Sequence, residues 1–443
     1  MRAPAIVGVS LGVLVSLAPG LLPRAAVLQG AATGLLAAGG LVLGIACARW
    51  LSRIRPAVAW ALTLPLLVGS LFLATAHQNR VRASMSMPGL DLAYWPTALG
   101  IAAAVLTLLV AVARLVRVAH RRLGSPRLAA AIVLAASLTY VVAPPATQAW
   151  LESRDRALEP GVAQPLSRIR AGSPDSLIRW DSMGVHGRRF VADTSTPSSV
   201  RVYVGLASAP SVAARAELAA DELERVGGLA RSAVILSVPT GSGWIDGTAA
   251  AGFEERFGGD VAIVGIQYAR APSWVGYLFD PDAAAESAQA LYDAVAGKLA
   301  ALDPAVRPPL YLYGQSLGAL GATAVRESSA SQPICGVLAV GPPPGAGPPE
   351  VVTLANASDS VARWSPRLLV EPALEGPWLP VVTFLQTSVD VLGALGLEPG
   401  NGHVYGEEQA LALPTCPLPD PRPLVENATG DENLLAARGD TQY

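Results

Sequence analysis

Apolar residues are spread unevenly along the chain, and their spacing changes character about a third of the way through. Between Met1 and Leu151 five apolar stretches recur: Pro4 to Leu22, Ala25 to Ala48, Pro56 to Ala76, Pro96 to Val116 and Leu128 to Val142. Short segments holding Arg, Pro or both separate them. A helix crosses a hydrocarbon core of about 30 Å with roughly 17–25 apolar residues, and most of these stretches meet that length, the fifth being the shortest. A cleaved signal peptide accounts for the first stretch at most. Residues 1–151 are therefore expected to form an α-helical membrane domain of about five spans. Arg49, Arg53, Arg55, Arg114, Arg117, Arg121, Arg122 and Arg127 fall with Arg2 on one face of that domain, and Arg24, Arg80 and Arg82 on the other. The positive-inside rule then places the N-terminus in the cytoplasm and, with five spans, everything beyond Leu151 outside it. No span carries Lys, Asp or Glu in its middle, the mark of an ion or proton route. The spans read as an anchor, or as a vestibule for a lipid substrate, in preference to a transporter.

Residues 152–174 are charged and contain Pro and Gly, and read as a linker. Beyond it, short β-branched runs appear at Val200 to Leu206, Ala233 to Val238, Val261 to Tyr268, Leu310 to Tyr313, Gly336 to Val340 and Val351 to Leu354. Alanine-rich stretches with helical spacing lie between several of them, at Ser211 to Val226, Ala283 to Leu302 and Ala319 to Glu327. Strand and helix in alternation require crossover connections, hence a mainly parallel sheet with helices on both faces over residues 175–416. Ligands in such sheets bind at the carboxyl ends of the strands. The polar, Pro-bearing segment 417–443 is expected to be disordered.

Composition sharpens this division. Of 443 residues 51% are hydrophobic and 15% charged, against about 25% charged in an ordinary globular domain. The net charge of −2 and the lack of a basic face argue against nucleic-acid binding. Lys298 is the only lysine beside many arginines, and Ala, Gly and Pro are plentiful, which reads as the coding bias of a GC-rich bacterial source. Cys47 lies in a span; Cys335 and Cys416 make one possible pair, and a disulfide and two unpaired thiols stand about level. The scattered histidines and the absence of C-x-x-C or H-E-x-x-H indicate no metal site, and no cofactor is expected.

The candidate chemistry sits on one turn. The run LYLY leads directly into Gly314-Gln315-Ser316-Leu317-Gly318, the G-x-S-x-G pattern of a nucleophile elbow between a strand and a helix. The strained turn needs small residues two before and two after the serine, and the N–H of Leu317 would face a developing oxyanion at a helix N-terminus. A base must follow. His77 and His120 belong to the membrane domain and His186 precedes the serine, which leaves His403, in the turn-rich Pro399-Gly400-Asn401-Gly402-His403. The acid must lie between them, among Glu327, Glu350, Asp359, Glu371, Glu375, Asp390 and Glu398. Only Asp359 closely follows a strand, so it is the expected partner of His403; Asp390, in the amphipathic run VVTFLQTSVDVLGAL, reads as a solvated helix face. A second oxyanion donor is expected at Gly241 or Ser242, in the turn after AVILSVPT, although an ordinary turn reads nearly as well there.

The whole resembles the membrane-anchored α/β-hydrolase family of actinobacteria, in which a multi-span N-terminal region precedes a hydrolase domain. SLAPGLLPR with the following LQG resembles the family's first-span motif. GRRFVA, RVYVGL, the TGSGW turn, the PSW after IQY, GQSLG, ASDSVARWSP, LPVVTF and GHVYG follow its hydrolase region in order. The resemblance implies Ser316, Asp359 and His403 as a triad, the same three that spacing selects. Two departures stand out: Gln315 occupies a place where the family usually has Glu, and the stretch between GVLAVGPP and the Asp359 strand is short, which implies a more open or specialised pocket. The expected activity is hydrolysis of an ester or thioester bond in a lipophilic substrate at the bilayer of a bacterial cell membrane. An acyltransferase or cyclase using the same triad, and a non-catalytic hydrolase-fold partner protein, are the alternatives.

Overall fold

The computed structural model describes residues 2–193, 196–328, 334–345, 348, 350–372 and 378–416, with the backbone alone at 127–131, 133–136, 138 and 141–142. The segment 417–443, expected to be disordered, lies outside the described residues, as does the candidate acid Glu375.

Among the described residues three helices are long and apolar enough to cross a membrane: Ala26–Ala46, Pro56–Ser84 and Tyr94–Pro126. The first apolar stretch is shorter as a helix than expected, running Ala3–Ser16 over 14 residues. Pro19, Gly20 and Pro23 account for this, since they punctuate the sequence immediately after it and turn the remaining apolar residues into a loop. This helix packs backbone to backbone on Ala26–Ala46: a Cβ on Gly8 would lie 2.2 Å from the carbonyl oxygen of Gly40. Such close approach through small residues is how helices associate where lipid removes the hydrophobic drive. The fourth and fifth stretches form one helical segment, Tyr94–Arg156, broken at Gly124, whose φ of 75° and ψ of 161° lie outside the helical region. The fifth stretch falls largely on residues whose side chains are not described.

The segment read as a linker is partly tied down. Three carbonyls at the end of the Tyr94–Arg156 helix, those of Asp155, Arg156 and Ala157, accept from the Arg188 guanidinium, at 3.5, 3.2 and 2.5 Å. Asp155 pairs with Arg270 at 3.0 Å, and Arg170 and Ala171 are buried against the second domain.

That domain is built on six parallel strands, β1 (Val200–Val204), β2 (Ala233–Val238), β3 (Val261–Ile266), β4 (Leu310–Gln315), β5 (Ile334–Val340) and β6 (Val351–Leu354), in the order β1-β3-β2-β4-β5-β6. Every residue of β1 to β4 is buried, which is why these strands read as mainly apolar runs instead of alternating ones, with Arg201 of β1 the buried charge among them. The helices Val212–Arg225, Ala283–Ala300 and Leu317–Ser328 pack side by side, and Gly247–Arg256 packs with Glu408–Ala412. This division follows from handedness. The connections from β1 to β2, β3 to β4 and β4 to β5 run one way across the sheet, and the connection from β2 to β3 returns, so right-handed crossovers put its helix on the other face. The direction reverses between β2 and β4, and the carboxyl ends of those neighbours open the crevice where ligands bind in such folds.

Cys335 and Cys416 are joined in a disulfide across a sequence separation of 81, between the start of β5 and the segment after Glu408–Ala412. Closing so long a loop restricts the unfolded chain more than the folded one. Replacing both cysteines by serine in the full-length protein is expected to cost about 2–4 kcal/mol. Denaturant melts of the two forms in one detergent measure it, and excess reductant should bring the wild-type midpoint down to that of the variant.

Candidate active site

Strand β4 delivers Ser316 into a left-handed turn, with φ 57°, a conformation that costs any residue carrying a Cβ. The surroundings leave it no alternative. Its N–H donates to the carbonyl oxygen of Val340 at the end of β5, at 2.9 Å, and the N–H of Ala319 donates back to the Ser316 carbonyl at 3.0 Å. The two flanking glycines are required by contact: a Cβ on Gly314 would lie 2.1 Å from the Gly318 carbonyl oxygen, and one on Gly318 would lie 2.2 Å from that of Val238. The pattern G-x-S-x-G is thus the trace of β4, its own helix and β2 meeting within van der Waals contact.

Asp359 follows β6, as expected, and is fully buried. It caps the short helix Ser360–Arg363, with Oδ1 accepting from the N–H of Val361 at 2.8 Å and of Ala362 at 3.3 Å. Its Oδ2 lies 2.8 Å from His403 Nδ1, so the two residues picked from the sequence meet. The same oxygen accepts from the Tyr405 hydroxyl. Burial, and then the Asp359 carboxylate, pushes the Tyr405 phenol above its usual range and keeps it a proton donor. The loops carrying acid and base are also stitched together: Asn356 Nδ2 donates to the carbonyls of Gly402 and Val404 at 3.0 and 2.9 Å, and Gly402 N–H donates to Ser358 Oγ at 2.9 Å.

His403 is 5% exposed and its Nε2 is buried with no hydrogen-bond partner among the described residues. The ring lies against Gly341, where a Cβ would sit 2.7 Å from His403 Cε1. Gly341 directly follows Val340, the residue whose carbonyl holds Ser316. Ser316 and His403 therefore both adjoin the residue pair Val340-Gly341 at the end of β5, without a hydrogen bond between them in this structure.

Of the expected oxyanion donors, Leu317 opens the Leu317–Ser328 helix, where its N–H has no acceptor within the helix. In the loop after β2, the Gly241 N–H is already engaged by Ser273 Oγ at 3.1 Å, while Gly243 N–H closes a turn on the Thr240 carbonyl at 2.8 Å. Ser242 N–H makes no hydrogen bond among the described residues, which favours Ser242 over Gly241. The helix Ser273–Phe279 lies over the elbow, with a Cβ on Gly276 falling 2.6 Å from the Leu317 side chain, and it leaves Trp274, Leu278 and Phe279 exposed. Gln315 is buried, and its Oε1 has no partner among the described residues; an amide there avoids burying the charge that Glu would bring.

One expectation is overturned. Asp390 is no solvated helix face: it is 1% exposed and forms a 2.8 Å ion pair with Arg24 of the N-terminal helical region. Tyr405 and Ser273 were not singled out from the sequence, since nothing in their spacing marks a phenol for a carboxylate or a hydroxyl for an amide 32 residues earlier.

The sequence matches the α/β-hydrolase family over residues 200–347 and 346–416, and that family's N-terminal region over residues 17–194. The chain belongs to this α/β-hydrolase family. No curated protein and no solved structure matches it.

The contact geometry of the elbow yields a direct test. Gly318→Ala is expected to lower stability by about 1–3 kcal/mol through overpacking against Val238, whereas Gly297→Ala, in an open helical position, should not. Denaturation midpoints of the two variants against wild type check this.

Proposed function

We propose that this protein is a membrane-anchored serine hydrolase acting on ester or thioester bonds of a lipophilic substrate. The observation that carries the reading is the conjunction of a serine held at positive φ on the elbow with a buried Asp359–His403 pair whose outer nitrogen is unpartnered. In this reading Ser316 Oγ attacks the acyl carbonyl while His403 Nε2 accepts its proton, and the tetrahedral oxyanion is held by the N–H groups of Leu317 and Ser242. Collapse expels the alcohol or thiol, protonated by His403, and leaves an acyl-enzyme on Ser316. Water, deprotonated by His403, then releases the acid and restores the serine. Asp359 holds His403 in the tautomer with the proton on Nδ1 and stabilises the imidazolium as it forms. Tyr405 and the two amides on Oδ1 hold the Asp359 carboxylate in place.

The exposed Trp274, Leu278 and Phe279 above the elbow, beside a bilayer-spanning domain, support a lipophilic substrate. The disulfide supports placement of the catalytic domain outside the cytoplasm. So does the loop side on which that domain docks, because Arg24 and Arg82 lie on the arginine-poor face.

A fluorophosphonate probe applied to membranes holding the full-length protein should label wild type and not Ser316→Ala. His403→Ala and Asp359→Asn should label at least about 10³-fold more slowly. Failure to label folded wild type would replace this reading with that of a non-catalytic membrane partner. Release of the acyl group to an added alcohol or amine in preference to water would replace hydrolysis with acyl transfer. In right-side-out cells, labelling of Ser316 by an impermeant form of the probe is expected; labelling only after lysis would put the catalytic domain in the cytoplasm.

A further inference from the structure

The loop that follows the first helix, Leu17 to Ala25, does more than connect two helices. It lies against the helix Val382–Val391 of the catalytic domain through a set of buried polar contacts. Arg24 donates from Nε and from its terminal nitrogen to Asp390 Oδ1, at 3.0 and 2.8 Å, and from the latter to the Gln386 carbonyl at 3.3 Å. Leu21 N–H donates to Asp390 Oδ2, and Gln386 Nε2 to the Val15 carbonyl, each at 2.5 Å. Arg24 and Asp390 are both nearly inaccessible to solvent, at 2% and 1%. The membrane side is itself braced: Gln78 accepts from Arg24 N–H at 2.9 Å, Arg82 donates to the Arg24 carbonyl at 2.9 Å, and His77 Nε2 lies 2.9 Å from the Gly20 carbonyl. Burying two charges is costly, and so many satisfied contacts make the geometry of this pair specific.

What the loop touches next decides its meaning. Leu22, Met85 and Ala394 form a buried apolar cluster, and Leu21, Val81, Met87, Val361 and Leu397 pack on it. Two of these catalytic-domain residues are one hydrogen bond from the candidate acid and base. The carbonyl of Ala394 accepts from the backbone N–H of His403 at 2.9 Å, and the N–H of Val361 is the 2.8 Å donor to Asp359 Oδ1. The membrane domain therefore packs directly on the backbone that aims both side chains.

We propose that Arg24 is a positioning residue, and that the membrane loop from Leu17 to Ala25 sets the geometry of Asp359 and His403 through Asp390, Ala394 and Val361. The inference deepens the hydrolase reading and rests on it for its catalytic consequence. The spans are then a working part of the site, not only a tether. Loss of Arg24 leaves the Asp390 carboxylate buried without a cation, loosens the helix that bears it, and lets the His403 backbone move relative to Ser316.

The test uses the full-length chain in lipid nanodiscs, as wild type, Arg24→Ala, Arg24→Lys, Leu22→Ala and Arg189→Ala. The last removes an exposed ion pair with Glu159 that lies apart from the site. Amide hydrogen exchange is read over the segments bearing Val361 and His403 and over β2 to β4, and fluorophosphonate labelling is resolved into a binding constant and a maximal rate. In Arg24→Ala, exchange at the Val361 and His403 amides is expected to rise about tenfold or more while the sheet is unchanged. The maximal labelling rate should fall about tenfold or more with the binding constant held within about twofold. Arg24→Lys should recover part of the rate, and Arg189→Ala should match wild type in both. Folded Arg24→Ala with wild-type exchange at those amides overturns the proposal. If Arg24→Ala does not fold, Leu22→Ala reads the same contact, and wild-type exchange there overturns it equally. Unlabelled wild type with the exchange change still present would sink the hydrolase reading and leave the positioning role standing.

Discussion

A carboxylate with no access to water must be surrounded by donors, and the candidate site is arranged around that requirement at Asp359. Four groups answer it: two amides of the helical turn that it caps, the imidazole of His403 and the phenol of Tyr405. Each donor fixes a segment. The amides commit the chain after β6 to a helical turn, the imidazole brings in a loop more than forty residues later, and the phenol holds that loop two residues further on. The consequence is preorganisation, because a carboxylate held on both oxygens fixes the imidazole that it meets, and with it the direction of the free ring nitrogen.

The sheet and the elbow were legible in the sequence for a physical reason. Strands buried on both faces are mostly apolar, so their limits appear as nearly continuous runs, and the observed β2 starts and stops at the residues expected; β6 does so as well, although only its first residue is buried. Gly314 and Gly318 were legible because contact at 2.1 and 2.2 Å excludes any other residue there. The limits of β4 and of the following helix shifted by only a few residues, since the elbow itself defines where the one ends and the other begins. Asp390 reads as solvated because its own helix is amphipathic, and no local pattern reveals a guanidinium 366 positions away. Which N–H of the turn is free of a partner is not readable from the turn alone, because it depends on a hydroxyl brought by the helix after β3. In the first apolar stretch Pro19, Gly20 and Pro23 set the helix end at Ser16, although the apolar residues continue to Leu22.

Two of the contacts between the domains use unlike chemistry. At one, a helix end delivers its free carbonyls to Arg188, an exchange of partial charges that any well-placed cation would satisfy. At the other, a forked guanidinium meets a carboxylate in a dry pocket, an arrangement in which lysine would reproduce the charge without the geometry. The first fixes where the hydrolase-fold domain is joined, and the second fixes how it is turned.

The disulfide encloses a particular set of residues. Asp359, Asp390 and His403 all lie between Cys335 and Cys416, while Ser316 lies outside that covalent ring. A single backbone cut anywhere within the ring therefore leaves both fragments attached. A nicked molecule would migrate as an intact one until its sulfur bridge was opened, with Asp359 and His403 still shackled to the strand beside Ser316.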